Sequence, residues 1–217
     1  MKSRNDIQDR GVMAAVAVAH GVVVQPSSDR FKARINELIE ERKAQEFPPQ
    51  EIKDAVRNLL KTGGFKPSGR NKPASEYLAQ AAREGRFPII NNLVDINNYI
   101  SLASGLPISL LDANEIGDTL LLRFGAEGER YVFNSAGQEI DLQGLICACN
   151  GETNAPLGNA VKDSMVGKIK DDTTSVAAII YAPSSGELSQ VAKKQVEVFA
   201  DLLRSEGQAT SVETLIE

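Results

Sequence analysis

Between Phe87 and Asp112 the chain reads FPIINNLVDINNYISLASGLPISLLD, and no other stretch restricts the possible folds as much. Four asparagines and one aspartate fall within the eight residues from Asn91 to Asn98. Among them Leu93, Ile96, Ile100 and Ala103 recur at helical spacing, and Gly105 followed by Pro107 supplies a stop. The spacing predicts a core-seeking helix with Asn91, Asp95, Asn98 and Leu102 on a second, largely polar face. Asn and Asp are poor helix formers because their short side chains compete for backbone hydrogen bonds, so a cluster this dense implies an offsetting gain. Two readings fit. In one, Asn91 and Asn92 build a turn and cap the helix, Asp95 bonds back to that turn, and Asn97 and Asn98 face water. In the other, the helix walls a pocket whose amides orient a ligand.

The rest of the chain alternates helical and strand periods. Val12 to Ala19 is an unbroken apolar run. Asp6 and Asp9 precede it, it is too short to span a bilayer, and no small-residue cleavage site follows, so it reads as a buried strand. Ser28 is an N-cap candidate for a helix with Phe31, Ile35, Leu38, Ile39 and Arg42 on one stripe, and Pro49 opens a second helix that turns Ile52, Ala55, Val56, Leu59 and Leu60 inward. The segment from Phe65 to Ala74, FKPSGRNKPA, is a basic loop, either an exposed linker or an anion-binding segment led by Arg70. A third helix runs near Ser75 to Glu84. Beyond Asp112 the period is two: Leu120, Leu122 and Phe124 predict a strand that pairs with Tyr131 to Phe133 across the AEGE turn. Leu145 to Cys149, the start at Ala155 to Leu157, and Ser175 to Ala182 add strands. Ser184 with Glu187 has the spacing of a capping box for a last helix, and Ala209 to Ile216 follows as an edge strand.

Composition removes several function classes. With 42% apolar residues over 217 positions a substantial core is affordable. The formal charge of −5 is unlike the basic footprint of a free-standing nucleic-acid binder, so RNA contact would need a local patch or a second protein. His20 is the only histidine, and Cys147 and Cys149 share one face of a strand, which suits packing better than a metal or disulfide. Zinc and Ser/His/Asp chemistry are therefore not expected, while the carboxylates leave a Mg²⁺ site open. No cofactor, no membrane partner and a cytoplasmic location are the expectations.

The stretch from Phe87 to Asp112 resembles the signature segment of the B3/B4 module of the phenylalanyl-tRNA synthetase beta subunit, whose pattern is close to RPINNxVDxTNYVxLExGQPxHAFD. Pro88, Ile89, Asn91 or Asn92, Val94, Asp95, Asn98, Tyr99, Gly105, Pro107 and Asp112 fall in one register without a gap. GRNKP followed by SEYL is similar to single-domain relatives of that module, and APLGNAVKDSMVGKIKDDTT keeps Leu157, Gly158, Asp163 or Ser164, Asp172 and Thr173 of a later pattern. The resemblance spans roughly Val12 to Leu203. It implies one mixed α/β (α+β) domain over residues 1–217, helix-rich to about 112 and strand-rich after it, with central mixed or antiparallel sheets flanked by helices.

The resemblance also implies a tRNA-editing site that hydrolyses a wrongly attached amino acid, with no aminoacylation. In this sequence the family's Thr-Asn pair is Asn97 and Asn98, its histidine falls in the stretch Leu106 to Ser109, and its hydroxyl-reading glutamate falls at or near Ser164. If ester hydrolysis is kept, Asp95 or Asp163 is the candidate base, with Asn98 and Ser109 as donors. Asn91, Asn97, Ser164 and Arg70 are the candidate substrate-binding residues. Three function classes stand: a deacylase acting without a metal on a mischarged aminoacyl-tRNA, a module that binds an amino acid or a tRNA end without turnover, and a domain that works only on a larger RNA-binding partner.

Overall fold

A computed structural model describes residues 1–217. In chain order the elements are β1 (Lys2–Asn5), β2 (Val12–His20), α1 (Asp29–Lys43), α2 (Gln50–Lys61), α3 (Ala74–Arg83), α4 (Asn92–Ser104), β3 (Ile108–Asp112), α5 (Ala113–Ile116), β4 (Thr119–Phe124), β5 (Arg130–Val132), β6 (Glu139–Asp141), β7 (Ile146–Asn150), β8 (Pro156–Asn159), β9 (Ser175–Pro183), α6 (Glu187–Ser205) and β10 (Ser211–Ile216). No helix is long and apolar enough to cross a membrane.

The Val12 to Ala19 run forms the middle of an antiparallel sheet ordered β10-β2-β9-β3. Its side chains are buried at every position from Val12 to Ala19, which explains why the sequence is continuously apolar and not alternating: both faces of the strand are covered. Helix α6 packs on β2, β9 and β10, and α4 packs on α6 and β3. A second sheet is ordered β1-β4-β7-β8, with β1 parallel to β4 and the other pairs antiparallel. Strands β3 and β8 lie against each other where the two sheets meet. The result is the expected mixed α+β class, with mixed and antiparallel sheets flanked by helices. The first half of the chain supplies β2 and β3 and the second half β9 and β10 to one sheet, so the helix-rich and strand-rich halves interleave.

Two local expectations are corrected. Strand β4 does not form a hairpin with β5, because both its edges are occupied, by β1 and β7. The loop after it is drawn in by Arg123, which grips Glu129 through two contacts of 2.6 and 2.8 Å, and β5 pairs with β6 instead. The capping box at Ser184 also fails to form: its backbone N–H donates to Gly11 O at 2.9 Å, and α6 begins only after Gly186. Strands β1 and β3 were not legible from the spacing at all.

The polar residues of α4 divide between two sides. Asn91 is the N-cap, its Oδ1 accepting from Val94 N at 2.9 Å. Asn92 is a buried clamp: Nδ2 donates to Val23 O at 2.9 Å and Glu206 O at 2.8 Å, and Oδ1 accepts from Gln25 N at 3.1 Å and Leu93 N at 3.0 Å. One carboxamide thus ties the helix to the segment after β2 and to the end of α6. Asn92→Ala would strand those carbonyls and the Gln25 N–H, and is expected to lower the unfolding free energy by about 2–3 kcal/mol. Urea denaturation checks this, and a change below roughly 0.5 kcal/mol would show that the clamp is dispensable.

Candidate functional site: a basic cleft beside helix α4

The side of α4 away from the clamp faces a cleft of about 960 Å³. Asn91, Val94 and Asn98 line it at helical spacing, joined by Asn97. Asn98 is only 8% exposed. The Nδ2 of Asn97 lies 3.4 Å from Asn98 Oδ1, and Asn97 Oδ1 is buried with no hydrogen-bond partner. A buried acceptor left unpaired costs about 1–3 kcal/mol, so these two amides are not held in place by their own backbone needs.

Facing the same cleft, the segment after β8 presents Val161, Lys162 and Asp163. Asp163 Oδ1 accepts from Ser109 Oγ at 2.6 Å and from Asn159 N at 3.3 Å. Ser109 Oγ also lies 2.9 Å from Tyr181 Oη. Because a serine hydroxyl has one proton and the carboxylate contact is the shorter, Ser109 donates to Asp163 and Tyr181 donates to Ser109. Burial pushes the Asp163 carboxyl up to about 7, against the opposing pull of the Ser109 and backbone hydrogen bonds and of the Lys168 charge. At neutral pH the group is therefore poised between its acid and its base form.

The close packing here depends on a missing side chain. A Cβ on Gly158 would sit 2.6 Å from Asp163 Oδ1 and 3.0 Å from Ser109 Oγ, so β8 can pass beneath the carboxylate only with glycine at that position. Asn159, which also lines the cleft, sets the turn that follows: its Oδ1 accepts from Val161 N at 2.8 Å and Lys162 N at 2.9 Å, and its Nδ2 donates to Tyr131 Oη. Tyr131 in turn donates to Lys162 O at 2.6 Å. Sequence reading missed Asn159, although a Gly-Asn pair at a strand end is an ordinary turn signal.

Five cations line the cleft, Arg70, Lys72, Arg86, Lys162 and Lys168, against one carboxylate, Asp163. In a chain of net charge −5 this is a local inversion of sign. Arg86 pairs with Glu84, whereas Lys72 donates only to Gln80 and Lys168 donates to the Phe133 carbonyl at 2.6 Å. Arg70 and Lys162 make no ion pair, and the Lys162 ammonium is shifted downward by burial and by the nearby Arg70 charge. The acidic composition requires any anion-binding surface to be a local patch, and the cleft carries such a cluster of cations.

Of the residues singled out from sequence, Asn91, Asn97, Asn98, Arg70 and Asp163 line the cleft, and Asp95, Ser109 and Ser164 do not. Asp95 accepts from Ser27 Oγ at 2.6 Å and Ile90 N at 2.8 Å and is fully buried on the clamp side of α4, so it acts as a structural cap. Ser109 sits between Ile108 and Leu110, which line the cleft; it reaches the site only through Asp163. Ser164 Oγ accepts from Gly167 N at 3.0 Å and closes a turn. The polar face of α4 drawn from sequence as Asn91, Asp95, Asn98 and Leu102 is thus corrected to Asn91, Val94, Asn97 and Asn98.

The raised pKa of Asp163 has a sign in stability. Folded, the carboxyl keeps its proton up to about pH 7, whereas unfolded it loses it near 4, so its contribution is full at low pH and is lost as the pH rises from about 4 to 7. Asp163→Asn removes this dependence. Its melting temperature, relative to the unsubstituted protein, is expected to improve between pH 4 and 7 and stay level above; a pH-independent difference would contradict the shift.

Comparison with known proteins places this geometry in a context. The family model described as the B3/4 domain matches residues 65–196. The phenylalanine–tRNA ligase beta subunit of Lactococcus lactis subsp. lactis (strain IL1403) is 28% identical over 168 residues, 76% of this chain and 17% of that protein. The beta subunit of Clostridium tetani (strain Massachusetts / E88) is 23% identical over 128 residues, 58% of this chain and 16% of that protein. An N-terminal fragment of the phenylalanyl-tRNA synthetase beta subunit from Pyrococcus horikoshii, solved by crystallography, covers the whole chain and 53% of its own at a TM-score of 0.49 and 10% identity. The chain thus spans less than a fifth of the length of these curated relatives.

Proposed function

This chain belongs to the B3/4 domain family, and from that premise we propose that its cleft receives the aminoacyl end of a tRNA and hydrolyses the ester that joins amino acid to RNA. The observation that carries this reading is a carboxyl titrating near neutrality, Asp163, in the same cleft as Asn97 and Asn98, whose side chains bond only to each other and leave Asn97 Oδ1 buried without a partner.

In its ionised form Asp163 takes a proton from a water molecule as that water adds to the ester carbonyl carbon. The carbonyl oxygen gains the negative charge and accepts hydrogen bonds from the Asn98 amide. When the tetrahedral intermediate collapses, the bond to the ribose oxygen breaks, and the proton on Asp163 passes to that oxygen. Ser109 and Tyr181 do not touch the substrate; Ser109 orients the carboxyl and moderates the proton affinity that burial raises, and Tyr181 orients Ser109. Arg70 and Lys162 hold a phosphate of the RNA. A cleft of about 960 Å³ has room for more than the amino acid alone.

A second reading, binding of an amino acid or RNA end without turnover, draws on the withdrawal of Ser109 and Ser164 from the cleft, which leaves fewer groups there for catalysis. Deacylation assays on tyrosyl-tRNA and other aminoacyl-tRNAs separate the two. Hydrolysis is expected to rise with pH and level off above about 7, and Asn98→Ala is expected to lower kcat by about 100- to 1,000-fold. Release of amino acid no faster than in protein-free controls, with binding retained, would establish the second reading instead.

A further inference from the structure

We propose that the rim of the cleft is a seat for one unpaired base of an RNA end, stacked on the ring of Tyr77, with the flanking phosphates on Arg70 and Lys72. The proposal rests on the reading of the cleft as an aminoacyl-RNA site and adds how the RNA is recognised. Aromatic residues are only 5% of this chain, yet two of them, Tyr77 and Phe133, line the cleft, each beside a cation. The Arg86 guanidinium carbon lies 5.5 Å from the Tyr77 ring centroid, and the Lys162 Nζ lies 4.1 Å from that of Phe133.

Tyr77 is 50% exposed, an unusual state for a large ring on a helix whose next residue, Leu78, is buried. Its hydroxyl accepts only a long contact, 3.4 Å, from Arg86. About half of the side chain is therefore open to solvent, with the Arg86 guanidinium as its polar neighbour. The neighbouring Ile90 is 63% exposed, which makes this rim apolar as well as basic. A polyanion alone would be served by cations alone, and an apolar ligand would not select Arg70 and Lys72. A π surface in one cleft with Arg70 and Lys72, which make no ion pair, matches the alternation of base and phosphate along a single strand, where bases stack on rings without a need for sequence-specific hydrogen bonds.

The test is fluorescence anisotropy with an uncharged RNA hairpin carrying a short single-stranded 3′ tail, set against the same hairpin with a blunt end. Tailed RNA is expected to bind at least tenfold more tightly than blunt RNA. Tyr77→Ala is expected to weaken binding by about 5- to 150-fold, the loss of one base–aromatic stack, while Tyr77→Phe stays within about threefold of the unsubstituted protein. Because the RNA carries no amino acid, the outcome is independent of catalysis: Tyr77-dependent binding without hydrolysis keeps this proposal and removes the deacylase, and hydrolysis with Tyr77→Ala unimpaired does the reverse. Equal affinity for tailed and blunt RNA, unchanged binding by Tyr77→Ala, equal displacement by poly-glutamate of matched charge, or no binding at all would overturn it.

Discussion

The way helix α4 is pinned from behind decides what the cleft can be. Asn92 and Asp95 are buried on its inner side, and between them their side chains satisfy backbone groups of Val23, Gln25, Ile90 and Glu206 and the hydroxyl of Ser27. The Ser27 hydroxyl is buried and the backbone partners are partly so, and leaving such polar groups unpaired is costly where water is excluded. With the rotation of the helix fixed in this way, Asn91, Val94, Asn97 and Asn98 have one direction left, into the cleft. The density of Asn and Asp in this helix, unfavourable by propensity, is the consequence of serving two sides at once.

The facing part of the cleft is built on the same economy of polar groups. Gly158 lets β8 approach β3 closely enough for Ser109 to reach Asp163, and Asn159 folds the turn that carries Lys162 and Asp163 into the cleft. Farther along, Thr173 donates to Asp112 at 2.7 Å and fastens the loop before β9 to the end of β3. The carboxyl of Asp163 is thus held by a hydroxyl relay from Tyr181 through Ser109, and burial, not a neighbouring acid, keeps its proton affinity high against the pull of that hydrogen bond.

Much of the fold was legible because it follows from periodicity. The apolar run at Val12, the helices under Ser28 and Pro49, the αL glycine after α4 at Gly105 and the strand from Ser175 all lie where their spacing puts them. Pairing was less legible: the β4–β5 hairpin was inferred from adjacency, and a strand's choice of partner depends on which edges remain free after nonlocal pairing. Site residues divided along the same line. Asp163, Asn97, Asn98 and Arg70 line the cleft, while Asp95 and Ser109, read as facing a ligand, do not, because sequence can place a side chain on an element but not choose between two buried sides of it. Nothing in the spacing of the third helix marks Tyr77; only its 50% exposure distinguishes it.

On the proposed function, α4 and the turn after β8 together enclose a place for an aminoacylated RNA end. A crystal structure of the protein with a non-hydrolysable 3′-aminoacylamino-adenosine analogue tests it most directly. The aminoacyl group is expected between Asn98 and Asp163, with its carbonyl oxygen within hydrogen-bond distance of the Asn98 amide and its nucleoside toward Arg70. An analogue bound elsewhere on the surface, or a cleft that excludes it at saturating concentration, would rule this site out.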